Sequence, residues 1–286
     1  MDEELRYQLQ RFALEIRIGI LEQLKARGFG HAGGSLSAAD LLAVLYGAEL
    51  RCDPENPRWE GRDQLVCSKG HAGPAVYAAL AIKGFFSYDT LRTLNQPGTI
   101  LPSHCDRLKT PGVDMTTGSL GQGASAAVGI AFAKKQKGTP EKVFLLVGDG
   151  ESNEGQVWEA AMFAAAHRLD NLFWLIDENK KQLDGYTEEI LNMGSFTNLM
   201  GAFGFDARRT DGNDVGCVYD AIEQAKLVKD KPHAIVLDTV KGCGVSELEK
   251  TYMNHSAKAS WEQWELWQNE LKVELADLNR ERETRL

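Results

Sequence analysis

A carboxylate held in a glycine turn is the first feature with chemical content. Gly148-Asp149-Gly150 follows the apolar run Lys142 to Val147, and Asn179 follows the next apolar run, Asn171 to Ile176. Turns at the carboxyl ends of parallel strands are where open α/β sheets bind ligands, often phosphates over a helix N-terminus. An aspartate there repels a phosphate unless a divalent cation lies between them. Mg2+ takes hard oxygens from one or two protein groups plus the phosphate. Asn179 comes about thirty residues after Asp149, the length of one βαβ unit, so both side chains emerge at one edge of neighbouring strands. A main-chain carbonyl in the turn after Asn179 could complete the set. Taken singly, Asp149 reads as a helix cap and Asn179 as an Asx turn. As a pair at this spacing they read as a metal–diphosphate site. The dinucleotide fingerprint G-x-G-x-x-G is not met, because Glu151-Ser152-Asn153-Glu154-Gly155 follows the turn.

The six histidines come next. Four lie in turn-rich settings: His31 in Gly-His-Ala-Gly-Gly, His71 in Lys-Gly-His-Ala-Gly, His104 in Pro-Ser-His-Cys and His255 in Met-Asn-His-Ser. Imidazoles so placed suit hydrogen bonding and proton transfer near neutral pH. His167, inside a helical stretch, and His233, beside Pro232 at a strand start, read as structural. No H-x-x-x-H or mixed Cys/His spacing points to zinc. The stretch Thr116 to Ser125 carries Gly118, Gly121 and Gly123, which permit close backbone contact with a flat ligand or a neighbouring element.

Periodicity indicates the elements that must position these groups. Helices are expected over Leu5 to Lys25 (ending at Gly28), Ser37 to Tyr46, Ala75 to Lys83, Ala126 to Lys134, Gln156 to Arg168 and Val215 to Val228. Strands are expected at Gln64 to Ser68, Lys142 to Val147, Asn171 to Ile176 and His233 to Val240, with a loop from Asp53 to Asp63. Strand and helix in alternation give an α/β fold, a parallel sheet flanked by helices. Residues 1–259 form the expected main domain. Residues 260–286 form a charged helical tail with a stripe of Trp261, Trp264, Trp267, Leu271, Leu275 and Leu278. Docking on its own domain is the favoured reading of that stripe; a partner-binding helix is the sharper one.

Composition removes several classes. The 286 residues are 43% hydrophobic and 26% charged, which is globular rather than disordered or fibrous. The net charge of −9 argues against a nucleic-acid or anionic-membrane surface. Met1-Asp2-Glu3-Glu4 lacks the features of a secretory leader, and no run is long enough for a membrane helix. Five cysteines, without a C-x-x-C pair, suit reduced thiols in the cytoplasm.

These residues together resemble the thiamine-diphosphate enzymes, and most closely the amino-terminal half of transketolase. The resemblance rests on Gly148-Asp149-Gly150 to Asn179, on Gly30-His31-Ala32-Gly33-Gly34, on Ser68-Lys69-Gly70-His71-Ala72 and on Met115 to Gly123. Asp149 to Gln156 and Val240 to Ser246 also carry it. It runs from about residue 11 to about 256. It implies the thiamine-diphosphate-binding fold, with Asp149, Asn179 and the Lys181 carbonyl holding Mg2+ or Ca2+. His71, Gly150 and His255 would contact the cofactor diphosphate, with Gly118, Ser119 and Leu120 along its rings. His31, His104 and His255 would face the sugar and relay protons during transfer of a two-carbon ketol unit. Glu154, counted with the cofactor-binding set, and Glu159 would lie at a subunit interface.

The pattern departs from the family at Lys181, at Pro-Ser-His-Cys, and in the Trp-rich tail beyond Ser260. In that family the cofactor is an electron sink activated by a glutamate from a second, pyrimidine-binding domain. A chain of this length has no room for that domain. The resemblance therefore implies a split transketolase: this chain supplies the diphosphate-binding subunit, and a separate carboxy-terminal subunit completes an α2β2 heterotetramer acting on sugar phosphates. The alternatives are the α subunit of a 2-oxoacid dehydrogenase and a non-catalytic protein that kept the fold. The histidine set and Thr116 to Gly123 argue against the first.

Overall fold

The computed structural model describes residues 1–285. Helix α1 (Glu3–Arg27) opens the chain, capped by the Asp2 carboxylate, which accepts from the Leu5 amide at 2.8 Å. Glu3 and Glu4 in its first turn and Lys25 and Arg27 in its last suit the helix dipole. Strand β1 (Gln64–Cys67) precedes α2 (Gly73–Ile82), and α3 (Gln122–Lys137) precedes β2 (Val143–Gly148). Then come α4 (Gly155–Ala166), β3 (Leu172–Glu178), β4 (Asp206–Asp211), α5 (Val215–Lys226), β5 (His233–Asp238) and α6 (Trp261–Arg285).

The five strands make one parallel sheet in the order β1-β2-β3-β5-β4. Alternation along the strands builds two cores, as a sheet covered on both faces requires. Phe144, Leu146, Phe173, Leu175, Ile235 and Leu237 face α1, α2, α5 and α6. Leu145, Val147, Trp174, Ile176 and Val236 face α3, α4 and the short helix Phe196–Ala202. Because the sheet is parallel, the loops after β1, β2, β3 and β5 all leave at one edge. No helix of the described residues is long and apolar enough to cross a membrane.

Two expectations are corrected. The helix expected over Ser37 to Tyr46 starts at Ala39, runs to Val44 and widens over Leu45–Glu49, and a separate short helix, Gly33–Leu36, precedes it across a break. The break falls at Ser37, whose hydroxyl is drawn to Asp177 at 2.7 Å. Strand β4 was not expected from periodicity. Asp-Ala-Arg-Arg-Thr-Asp is polar because an edge strand has one neighbour and needs no continuous apolar run.

The tail docks on its own domain. Trp264, Trp267 and Leu271 of α6 are buried against the α1 side of the core, while Trp261 stays 55% exposed with Lys25 over its ring. Gln268 donates to Glu22 at 2.7 Å and the Trp267 indole to Glu247 at 3.0 Å, which fixes the register. Leu286, the last residue of the expected tail, lies outside the described residues. Trp264→Ala should destabilise the chain by about 3–5 kcal/mol, the usual cost of emptying a large core site. Urea unfolding measures this; a loss below about 0.5 kcal/mol would show that α6 is no part of the core.

Candidate functional site

The loops leaving the carboxyl edge of the sheet close around one cavity of about 380 Å3. His31, His71, His104, Gly118, Leu120, Asp149, Gly150, Glu154, Asn179, Lys181 and His255 line it, so most of the residues singled out from the sequence meet there. Ser119 sits between two lining residues but does not line the cavity itself. Glu159 lies on the exposed side of α4, outside it.

Asp149 forms the floor. Its carboxylate accepts from the Gly150 amide at 2.7 Å and the Lys180 amide at 2.6 Å. Burial, with the Asp177 charge beside it, pushes its pKa up to about 7 despite those two bonds. A buried carboxylate in that condition is a good cation ligand, since a cation removes the penalty for its charge. Asn179 offers its amide oxygen and Lys181 its carbonyl, so the donor set is three hard oxygens, which fits Mg2+ or Ca2+. The cradle above is equally specific. A side chain at Gly150 would meet Gln182 at 2.7 Å, and one at Gly118 (φ 143°) would meet the His104 ring at 3.0 Å. The residues present therefore fit a metal-bound diphosphate.

Four imidazoles make the wall. The His31 ring lies 5.6 Å from His71, 5.4 Å from His104 and 5.3 Å from His255, and His71 lies 4.7 Å from His255. Burial lowers the pKa of all four, most for His71 and for His255, which falls to about 3 with Lys241 adding to the effect. They are neutral near pH 7, so each ring has one donor and one acceptor. His167 and His233 lie elsewhere; His233 is buried between the Asp170 carbonyl (3.1 Å) and Asp206 (3.4 Å).

Sequence reasoning gave no role to four charged residues that organise this site. Lys69 and Asp177 form a fully buried ion pair. Asp177 also accepts from Ser37 (2.7 Å), Thr239 (2.5 Å) and the Asn179 amide nitrogen (2.9 Å), which turns the Asn179 oxygen away from it. Glu151 accepts from Ser68 at 2.5 Å, the Gly121 amide at 2.8 Å and the Gly148 amide at 3.0 Å, tying together three loops. Lys241 donates to the Lys181 carbonyl at 2.7 Å and lies 3.3 Å from His255; burial lowers its pKa to about 8. Lys69 and Lys241 lie within motifs quoted above, and a lysine inside a glycine turn is the signal that could have marked them.

A parallel sheet with an oxygen-lined floor and a histidine wall at its carboxyl edge defines a cofactor-binding α/β domain. Residues 9–275 match the family described as transketolase, thiamine diphosphate binding domain, and the chain belongs to it. It is 49% identical over 271 residues to the 6-deoxy-6-sulfo-D-fructose transketolase subunit SqwG of Clostridium sp. (strain MSTE9), covering 95% of this chain and 98% of that one. It is 38% identical to an apulose-4-phosphate transketolase subunit from Actinobacillus succinogenes, covering 92% and 94%. Among solved structures, the Campylobacter jejuni transketolase superposes with a TM-score of 0.83 at 29% identity, and the Leishmania mexicana transketolase with 0.81 at 26%. The chain is covered to 98% and 95% in those superpositions, yet it spans 48% and 46% of the two solved chains.

Two outcomes test the electrostatics. Asp177→Asn leaves the Lys69 ammonium buried without its anion, so unfolding free energy should fall by about 3–5 kcal/mol; a change within error would show that the pair does not hold the edge together. The second concerns pH. Burial lowers the pKa of His31, His71, His104, His233 and His255 from 6.5, so the folded chain binds fewer protons than the unfolded chain below that value. The histidine contribution to stability should be full above about pH 6.5 and be lost as pH drops, against the opposite contribution of Asp149, whose pKa is raised to about 7. That histidine-dependent loss should be smaller in His233→Asn. Melting temperatures across that range check both slopes.

Proposed function

We propose that this chain is the diphosphate-binding subunit of a two-chain transketolase. It acts with thiamine diphosphate and Mg2+ (or Ca2+) to move a two-carbon ketol unit from a ketose to an aldose. The observation that carries the reading is the facing of the Asp149–Asn179 floor by four neutral histidines in one cavity. Two relatives covered almost end to end are named as transketolase subunits, which supports a separate partner chain. We take the assembly as an α2β2 heterotetramer in the cytoplasm. Residues 1–259 are the cofactor-binding unit and 260–286 the tail.

Asp149, Asn179 and the Lys181 carbonyl would hold the metal. His71, His255, Gly150 and Lys241 would hold the diphosphate, and Gly118 and Leu120 would lie along the cofactor rings, with Ser119 between them off the cavity wall. Bound thiamine diphosphate would supply the electron sink for carbon–carbon cleavage. His31, His104 and His255 orient the sugar hydroxyls. Being neutral, each can donate at one ring nitrogen and accept at the other, which suits moving a proton to or from a hydroxyl. Glu154 and Glu159 belong to the subunit interface. The names of the two subunit relatives support a ketose with an anionic group, sulfonate or phosphate, as donor.

The chain alone should show no ketol transfer. Adding the partner chain, thiamine diphosphate and Mg2+ should restore it with 6-deoxy-6-sulfo-D-fructose or a ketose phosphate, and not with pyruvate. Full turnover by the chain alone would sink the two-chain reading. Asp149→Ala should weaken metal-dependent cofactor binding by on the order of 100-fold or more, beyond what loss of a supporting residue costs. Calorimetry with unchanged affinity would remove Asp149 from the ligand set.

A further inference from the structure

A second cleft, of about 560 Å3, lies at the amino end of β1, between the 53–63 loop and the 106–114 loop. Its volume falls in the range of small-molecule sites. Its charge runs against that of the molecule: Arg58, Arg62, Arg107 and Lys109 line it in a chain of net charge −9. Asp114 also lines it, and its carboxylate is already used. One oxygen takes Arg62 through Nε (3.1 Å) and Nη2 (2.5 Å), and the other takes the Leu65 amide at 2.9 Å. The Trp59 carbonyl accepts from Arg62 Nη1 at 2.8 Å, so that guanidinium is fixed in place. Arg58, Arg107 and Lys109 have no ion-pair partner among the described residues and bring three cations to the rim.

The 106–114 loop has a closed neck. The Thr117 amide donates to the Cys105 carbonyl at 3.1 Å. Thr116 Oγ1 donates to Asp106 at 3.2 Å and accepts from the Arg107 amide at 3.1 Å. Immediately outside the neck stand His104 on one side and Gly118 on the other, both lining the cofactor cavity. Arg107 is therefore joined to His104 by a short stretch of chain whose neck is closed by hydrogen bonds.

We propose that this cleft is an effector site for a phosphorylated small molecule, and that its occupancy is felt at His104 through the neck of the loop. Guanidinium forks match phosphoryl oxygens in pairs, and cations drawn from two loops let one anion cross-link them. Such a ligand stabilises one arrangement of the loop, and linkage then requires a reciprocal effect at the cavity.

The test is a titration of the full chain with inorganic phosphate at constant ionic strength, read by NMR at the arginine Nε–Hε groups. No arginine among the described residues lines the cofactor cavity, so phosphate bound there does not enter this readout. Arg62 and Arg107 should shift with a common saturable midpoint, and the His104 ring signal should move with it. In Arg107→Ala/Lys109→Ala and in Arg58→Ala, all rim changes on an intact scaffold, the midpoint read at Arg62 should weaken at least tenfold. The matching His104 movement should be lost. Non-saturating arginine shifts, an unchanged midpoint in the variants, or the absence of any His104 component that shares the arginine midpoint would each overturn the proposal. So would a response of these arginines to an acidic segment of the partner chain and not to phosphate. The arginine readout stands whether or not the assembled enzyme transfers ketol units, so the two readings fail separately.

Discussion

The carboxyl edge of the sheet is organised by one buried ion pair, Lys69 with Asp177. Removing two charges from water carries a desolvation cost that their mutual attraction offsets only when every remaining donor and acceptor is met. Asp177 meets that condition. Besides Lys69 it takes Ser37 from the turn after Gly33–Leu36, Thr239 from the end of β5, and Asn179 from its own loop. Its main-chain carbonyl also accepts from the Asp149 amide at 3.2 Å. Four chain segments thus converge on one carboxylate, and Asp177 orients two of the three oxygen donors of the candidate metal site, Asn179 through its carboxylate and Asp149 through its main-chain carbonyl.

Glu151 has the corresponding role on the other side of the glycine turn. By accepting from Ser68, Gly121 and Gly148 it ties the loops after β1 and β2 to the start of α3. Its pKa is raised by burial, and the three donors act against that rise. Asp149, between these two tethered carboxylates, has backbone donors and, among the described residues, no ion-pair partner within 4 Å, the Lys241 ammonium acting on it from farther off. That electrostatic difference separates Asp149 from the other two: Asp177 is paired with Lys69 and Glu151 is tied to three donors, while Asp149 is met by backbone amides alone.

The cavity is walled on the protein side and open on the other. Leu120 and Leu183 line it and are still 37% and 58% exposed, so apolar surface stands at its mouth. Away from that mouth, α6 covers the α1 side of the core with Trp264 and Leu271 fully buried. The tail belongs to the core, and exposed apolar surface remains at the cavity mouth.

Much of this was legible from local sequence. The Gly148-Asp149-Gly150 turn, the apolar run before it and the spacing to Asn179 lie within one βαβ unit, so their joint placement follows from strand and helix lengths alone. The turn settings of His31, His71, His104 and His255 marked them as loop residues, and the resemblance to transketolase brought them together. The polar edge strand β4 left no periodic signal, and the partners of buried charges left none either. Lys69 and Asp177 are 108 residues apart, and nothing near either names the other. The sequence by itself determined which residue types stand at the ends of which strands, because that is short-range patterning. The tertiary structure alone decided which charges neutralise one another and which stays without an ion-pair partner, because burial and pairing depend on segments that meet only when the sheet is complete.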